Sequence, residues 1–407
     1  MRKSMHKGRV DAVVILYVFL VICSFANVFA ALAISLGGPA FSFLISIKDV
    51  FLLIFFLCVV AFKAKGRVLA RVAFVSTTLI VLLLIYFLRG EQPVIAQVAS
   101  IRQLILFFML FTVGAAFGVS DKILLYKRIS IVVNIGVIIV VVGFVERFTH
   151  LWSYFVRDYF LVKKIGVLSN GYPFVLIEPL AFINEFDDVF GFLRMSSSFL
   201  DPINFGHACV AWYFLADMVG RNKSKNFILL GLILSCSKAA LLHFLVIFFV
   251  FKLNINLYIR SLLALFLVLI AFVVIQGHPG FISHMAGLTG GFQEITVLGN
   301  GLATAGNVAQ MFGDGGNGIG DSFVGALMVQ IGLFGSMFWV LAFVYLILMT
   351  YSKNKLMSVL MLVQLGLSLL SENSFNYLSI AVGAMMAGLI AASTKSDNLA
   401  ACRGGSN

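Results

Sequence analysis

The chain has 407 residues, of which 61% are hydrophobic and 11% charged. A soluble domain carries roughly 25% charged residues, so water is not the solvent for most of this surface. The net charge of +12 does not point to nucleic acid, because Lys and Arg fall in short clusters between apolar runs, with no aromatic interleaving on a soluble surface.

Apolar runs of about 20 residues recur along the chain, each long enough to cross a hydrocarbon core about 30 Å thick. The expected fold is all-α: a polytopic integral membrane protein with about twelve transmembrane helices. The first run, 11–33, follows Arg2, Lys3, Lys7 and Arg9. It is longer than a signal-peptide core and has no clear small-x-small cleavage site, so it reads as a span. Basic residues are retained in the cytoplasm, which places the N-terminus inside. Span 2, 41–62, returns to Lys63, Lys65 and Arg67. It carries Lys48 and Asp49, whose partners spacing cannot decide. Span 3, 68–88, leads out to a short loop with Glu91 and Pro93. Arg71, near its start, reads as a snorkelling anchor. Span 4, 101–119, begins at Arg102 and returns to Lys122, Lys127 and Arg128. Span 5, 130–148, leads out to a long polar segment, 149–200. There Trp152 and Tyr154 suit the bilayer interface.

That segment ends in Arg194 and then Ser196-Ser197-Ser198-Phe199-Leu200-Asp201-Pro202-Ile203-Asn204-Phe205-Gly206. Pro202 suits the first turn of span 6, 202–220, and Asp201 suits its N-cap. Arg194 falls near the positive end of that helix, where anions are favoured, and an arginine there can hold phosphate oxygens bidentately. The next run, 226–252, is interrupted by Ser235-Cys236-Ser237-Lys238. It reads either as two short helices meeting at that turn or as one tilted helix. Irregular backbone at membrane depth is tolerated only where protein or a wet cavity covers it. Ionisable groups inside a membrane are expensive and tend to be functional, so Lys238 is a candidate; pairing with an acid such as Asp49, or snorkelling, is the plainer account.

A span at 259–275 leads to the second long loop, 276–322, which is rich in glycine and reads as flexible. It holds His278, His284, Glu294, Asp314 and Asp321, with no Walker-type loop and no metal-ligand spacing. The last spans are 323–350, 356–371 and 376–393, with Lys353 and Lys355 inside and Ser371-Glu372-Asn373-Ser374 outside. Both termini are expected in the cytoplasm. The five cysteines, Cys23, Cys58, Cys209, Cys236 and Cys402, form no disulfide framework or metal-ligand pattern.

Three segments in order resemble the O-antigen polymerase and ligase superfamily, membrane enzymes of the Wzy and WaaL type. The first is Arg194 with the Ser-Phe turn and Pro202 to Asn204. The second is Leu234-Ser235-Cys236-Ser237-Lys238-Ala239-Ala240-Leu241-Leu242, with lysine where the family has arginine. The third is Leu298-Gly299-Asn300-Gly301-Leu302-Ala303-Thr304, followed by Gly320-Asp321-Ser322-Phe323 and Gln330-Ile331-Gly332-Leu333-Phe334-Gly335. The resemblance implies a GT-C-like helical bundle in the bacterial inner membrane. It implies a glycosyltransferase whose donor is a polyprenyl-pyrophosphate-linked oligosaccharide, such as an undecaprenyl-pyrophosphate-linked repeat, with no cofactor or metal. A flippase and a chain-length regulator are the partners it implies. The acidic Asp321 stands where ligases of the family carry a histidine, which favours polymerase over ligase.

In such a reaction charge grows on the leaving group, and fixed cations stabilise it. Arg194, Lys238 and Arg102 are the candidate pyrophosphate ligands. Asp321, then Glu372, then Asp201 are candidates for the base that activates the acceptor hydroxyl. Asn204, Asn300 and Ser322 are candidates for lining the substrate loop. The rival readings are a ligase, a flippase or other transporter, and a receptor or scaffold without chemistry.

Overall fold

The computed structural model describes residues 2–38, 47–63, 66–149, 194–252, 259, 279–306, 309, 322–369, 375 and 377–393. Among them the chain is helical, with no strand. Five helices precede the segment 150–193, expected from the sequence to be a long loop and lying outside the described residues: α1 (Arg2–Gly37), α2 (Ile47–Lys63), α3 (Arg67–Arg89), α4 (Val94–Ala116) and α5 (Lys122–Thr149). After it come a 3-10 turn at Ser197–Phe199 and then α6 (Pro202–Met218), α7 (Asn222–Leu234) and α8 (Lys238–Lys252). The remainder are α9 (Pro279–Gln293), α10 (Phe323–Tyr351), α11 (Lys355–Leu367) and α12 (Tyr377–Ala391). Four of these, α3, α4, α5 and α10, are long and apolar enough to cross a membrane. Parts of α1, α2, α8, α11 and α12 are shorter apolar helices.

Between lipid-embedded helices apolar burial gives little driving force, so small residues that admit close backbones matter more. The α4–α12 pair is built this way. A Cβ on Gly114 would fall 1.9 Å from the Met385 carbonyl oxygen, and one on Gly388 would fall 2.0 Å from that of Phe111. Beside this seam lies an aromatic cluster of Phe107, Phe108, Phe323, Trp339, Phe343 and Phe375. Trp339 Nε1–H donates to the Leu104 carbonyl at 2.8 Å, so the indole is buried without an unsatisfied donor.

The structure moves the start of the fourth helix. Arg102 suggests a span starting at 101, but α4 starts at Val94, after Pro93. Gln97 Nε2 folds back to the carbonyls of Gly90 and Gln92 at 3.3 and 2.7 Å. Arg102 is compensated by Asp49 of α2 at 2.9 Å. Both polar residues therefore fit inside a helix. The second long loop is corrected as well. Residues 279–293 form α9, and Gly291 packs on Gly325 of α10, where a Cβ would fall 2.5 Å from the Gly325 Cα. These glycines serve close packing rather than flexibility. The span expected at 259–275 lies outside the described residues except for Ile259.

Candidate functional site

The segment 226–252 folds as two short helices. At 1.5 Å per residue, α7 and α8 are each roughly 20 Å long, too short to cross the hydrocarbon core. They run in opposite directions along α6. On α7, Lys225 pairs with Asp217 at 3.0 Å, while Gly231 packs near Phe205. On α8, Ala240 approaches Gly206, and Phe244 contacts Tyr213 and Phe214. The result is a helical hairpin whose tip, Ser235 to Lys238, sits beside the N-terminal turn of α6. Close approach is possible because position 206 is glycine: a Cβ there would fall 2.8 Å from Ser235 Oγ.

The tip satisfies its own backbone with side chains. Ser235 Oγ donates to the Leu232 carbonyl and accepts from Ser237 N–H, while Ser237 Oγ accepts from Ala240 N–H. The segment before α6 is stitched to this tip. Met195 N–H donates to the Leu234 carbonyl at 2.9 Å, and Arg194 Nε–H donates to the Ser235 carbonyl at 3.1 Å. Arg194 and Lys238, 44 positions apart in the chain, thus flank one turn. The Lys238 side chain is exposed, and Asp49 pairs with Arg102 rather than with it.

Asp201 caps α6. Its Oδ1 accepts from the N–H groups of Ile203 and Asn204, and its Oδ2 accepts from Asn204 Nδ2 at 2.8 Å. Asn204 Oδ1 in turn accepts from the Ser379 hydroxyl of α12. Asn204 is 4% exposed, so it joins two helix ends. Ser322 is the N-cap of α10, accepting from Gly325 N–H, and it donates to the Leu369 carbonyl at 2.7 Å. Asn204 and Ser322 are thus both buried and tie helix ends together. Asp321 and Glu372 lie outside the described residues.

The third motif forms a second irregularity. α10 breaks at Gly332, whose φ of 68° and ψ of −174° suit glycine alone. The break frees carbonyls on one side and N–H groups on the other. The Gly299–Gly301 loop answers them with backbone of its own. Asn300 N–H and Gly301 N–H donate to the carbonyls of Val329 and Gln330 at 2.8 and 3.1 Å. Leu333 N–H and Phe334 N–H donate to those of Thr296 and Val297 at 2.9 and 3.1 Å. Gln330 donates to the Ala305 carbonyl and accepts from Ala303 N–H, and the Tyr86 hydroxyl donates to the Ile331 carbonyl at 2.8 Å. The two halves of the third motif are thus one bonded unit, and the Asn300 side chain stands exposed at its edge.

Among the described residues, the non-glycine positions with positive φ are Ser197, Leu200, Cys236 and Ala303, at 51°, 54°, 47° and 62°. All four fall in the turns of the three motif segments. Such conformations cost roughly 1–3 kcal/mol each and cluster at functional sites. Sequence reading missed a further feature, a buried pair of rings: His207 Nδ1 on α6 lies 3.1 Å from His243 Nδ1 on α8.

No family model, no curated protein and no solved structure matches this chain.

Proposed function

We propose that the chain is a polysaccharide polymerase that joins polyprenyl-pyrophosphate-linked oligosaccharide repeats at the outer face of the bacterial inner membrane. In this reading the chain has about twelve membrane segments, ten full crossings and the two short arms of the α7–α8 hairpin, with both termini in the cytoplasm, as the clusters of Lys and Arg suggest. The observation that carries the proposal is the pairing of Arg194 with the Ser235–Lys238 tip, two strained turns bonded to each other with a cation on each.

The chemistry is displacement at an anomeric carbon. The acceptor hydroxyl oxygen forms the new glycosidic bond and loses its proton to a carboxylate. The bond from the anomeric carbon to the pyrophosphate oxygen breaks, and its electron pair leaves with the lipid diphosphate. Arg194 and Lys238 stabilise that growing charge because they are held before the reaction begins. Arg102 has its charge balanced by Asp49, so it contributes less. With both oxygens of Asp201 engaged in the cap, the base role passes to Asp321 or Glu372.

The test is extension of a lipid-linked repeat by the purified, reconstituted chain. Wild-type protein is expected to build polymer on the polyprenyl carrier, and Arg194→Ala to lower the rate by about 100-fold or more. An unchanged rate in Arg194→Ala removes the leaving-group clamp. Transfer to a different lipid acceptor identifies a ligase. A lipid-linked glycan transporter is the second reading, favoured by the hairpin and the broken α10, since transporters build midplane sites from discontinuous helices. Movement of the substrate across the bilayer without lengthening identifies it.

A further inference from the structure

The histidines of α6 and α8 have no part in the transfer as written, yet they are among the most deeply buried polar side chains. His207 is 1% exposed and His243 0%. His243 Nε2 lies 3.0 Å from the Leu360 carbonyl oxygen of α11. A carbonyl only accepts, so His243 carries a proton on Nε2. With one proton per ring, its Nδ1 offers a lone pair, and His207 Nδ1 is the donor across the 3.1 Å gap. The bonds run one way, from His207 to His243 to the Leu360 carbonyl. They end on an atom that passes no proton onward, so the arrangement is not a proton wire. It is a strut across α6, α8 and α11. It sits five residues below Lys238, about 7–8 Å along the axis of α8.

We propose that this strut is a positioning element that fixes the height and rotation of the hairpin and so holds Lys238 beside Arg194. The inference rests on the anion-gripping reading of the tip given above. Apolar contacts, such as Phe244 on Tyr213 and Phe214, resist separation but are poor at fixing register, because lipid tails are equally apolar. Directional bonds fix register. The tip is held from above by Arg194 and Met195, and the strut holds it from below.

Cys236 provides a reporter at the tip itself. In full-length protein with Cys236 as the sole thiol, the rate of alkylation measures tip exposure without reference to any reaction. His243→Phe keeps bulk and loses both bonds, whereas His243→Gln keeps a donor and an acceptor on one planar group. The strut predicts alkylation about tenfold faster in His243→Phe and within about twofold of the parent in His243→Gln, as expected for loss of one or two buried hydrogen bonds. If bulk alone mattered, Phe would preserve the rate and Gln would not; that order overturns the proposal. Should His243→Phe fail to fold, His207→Phe severs only the α6–α8 bond and decides the matter. A parental rate in folded His207→Phe also overturns it. Extension assays on the same proteins are expected to show a raised KM in His243→Phe and recovery in His243→Gln. If wild-type protein extends nothing, the polymerase reading fails while the alkylation rates still decide the strut.

Discussion

Among the described residues two breaks interrupt helices, at the hairpin tip and at Gly332, and they are repaired by different means. At the hairpin tip, hydroxyl side chains of Ser235 and Ser237 bond the loose backbone, and Arg194 reaches in from another segment. At Gly332 the main repair is backbone to backbone, from the Thr296–Gly301 stretch, with the neutral Tyr86 hydroxyl on the Ile331 carbonyl. Both meet the requirement that freed backbone groups at membrane depth find partners. The side-chain repair brings charge to its turn. The backbone repair brings none and fixes shape alone. Damage at Gly332 should therefore lower stability, whereas damage at the tip should lower activity with the fold intact.

The sharpest way to break that contrast is Gly332→Ala. The substitution forces a side chain into a conformation reserved for glycine, with its Cβ 2.2 Å from Gly299 N. A loss of about 3 kcal/mol or more is expected, read as loss of monodisperse protein in size-exclusion chromatography and a lower unfolding temperature. A milder effect attends Arg102→Met, which leaves Asp49 facing α4 without its cation. The partly buried geometry puts the cost at about 1–2 kcal/mol, between the limits for surface and buried pairs. Denaturation with Asp49→Asn and the double variant isolates the coupling.

Smaller still is Asp201→Asn. Asparagine is as good an N-cap as aspartate, but its amide would face Asn204 Nδ2 donor to donor. A loss of about 1 kcal/mol in thermal unfolding is expected, with extension kept within about threefold. A carboxylate acting as base would instead cost about 100-fold or more in rate. At the far end, Tyr86→Phe removes one bond to the Ile331 carbonyl. Its cost of about 1 kcal/mol or less is expected to appear as faster amide exchange in Leu333 and Phe334.

The contrast also explains what was legible in the sequence. The tip was legible because polar residues interrupt an apolar run, and the α6 start because Asp201-Pro202 is a local signal. The break in α10 was not, since Ile331, Gly332 and Leu333 are apolar or neutral and the partner stretch lies some 30 positions earlier. Arg102 looked like a helix start because its counterion, Asp49, comes from another helix. The histidine strut left only a faint mark, two titratable rings inside apolar segments, and nothing in their spacing of 36 joins them. Local patterns reveal where a helix starts or stops. They do not reveal which distant group makes the interruption tolerable.

The glycine seam between α4 and α12 has a consequence for how the protein is made. Gly114 sits against Met385, and Val119 N–H donates to the Ser393 hydroxyl at 2.9 Å, so the fourth helix waits for a partner some 270 residues behind it on the ribosome. Until that partner emerges, one face of α4 has only lipid or a translocase to lie against. Assembly of this bundle is thus a late event, closed by its last described helix, and errors in the α12 sequence would be felt by helices already inserted.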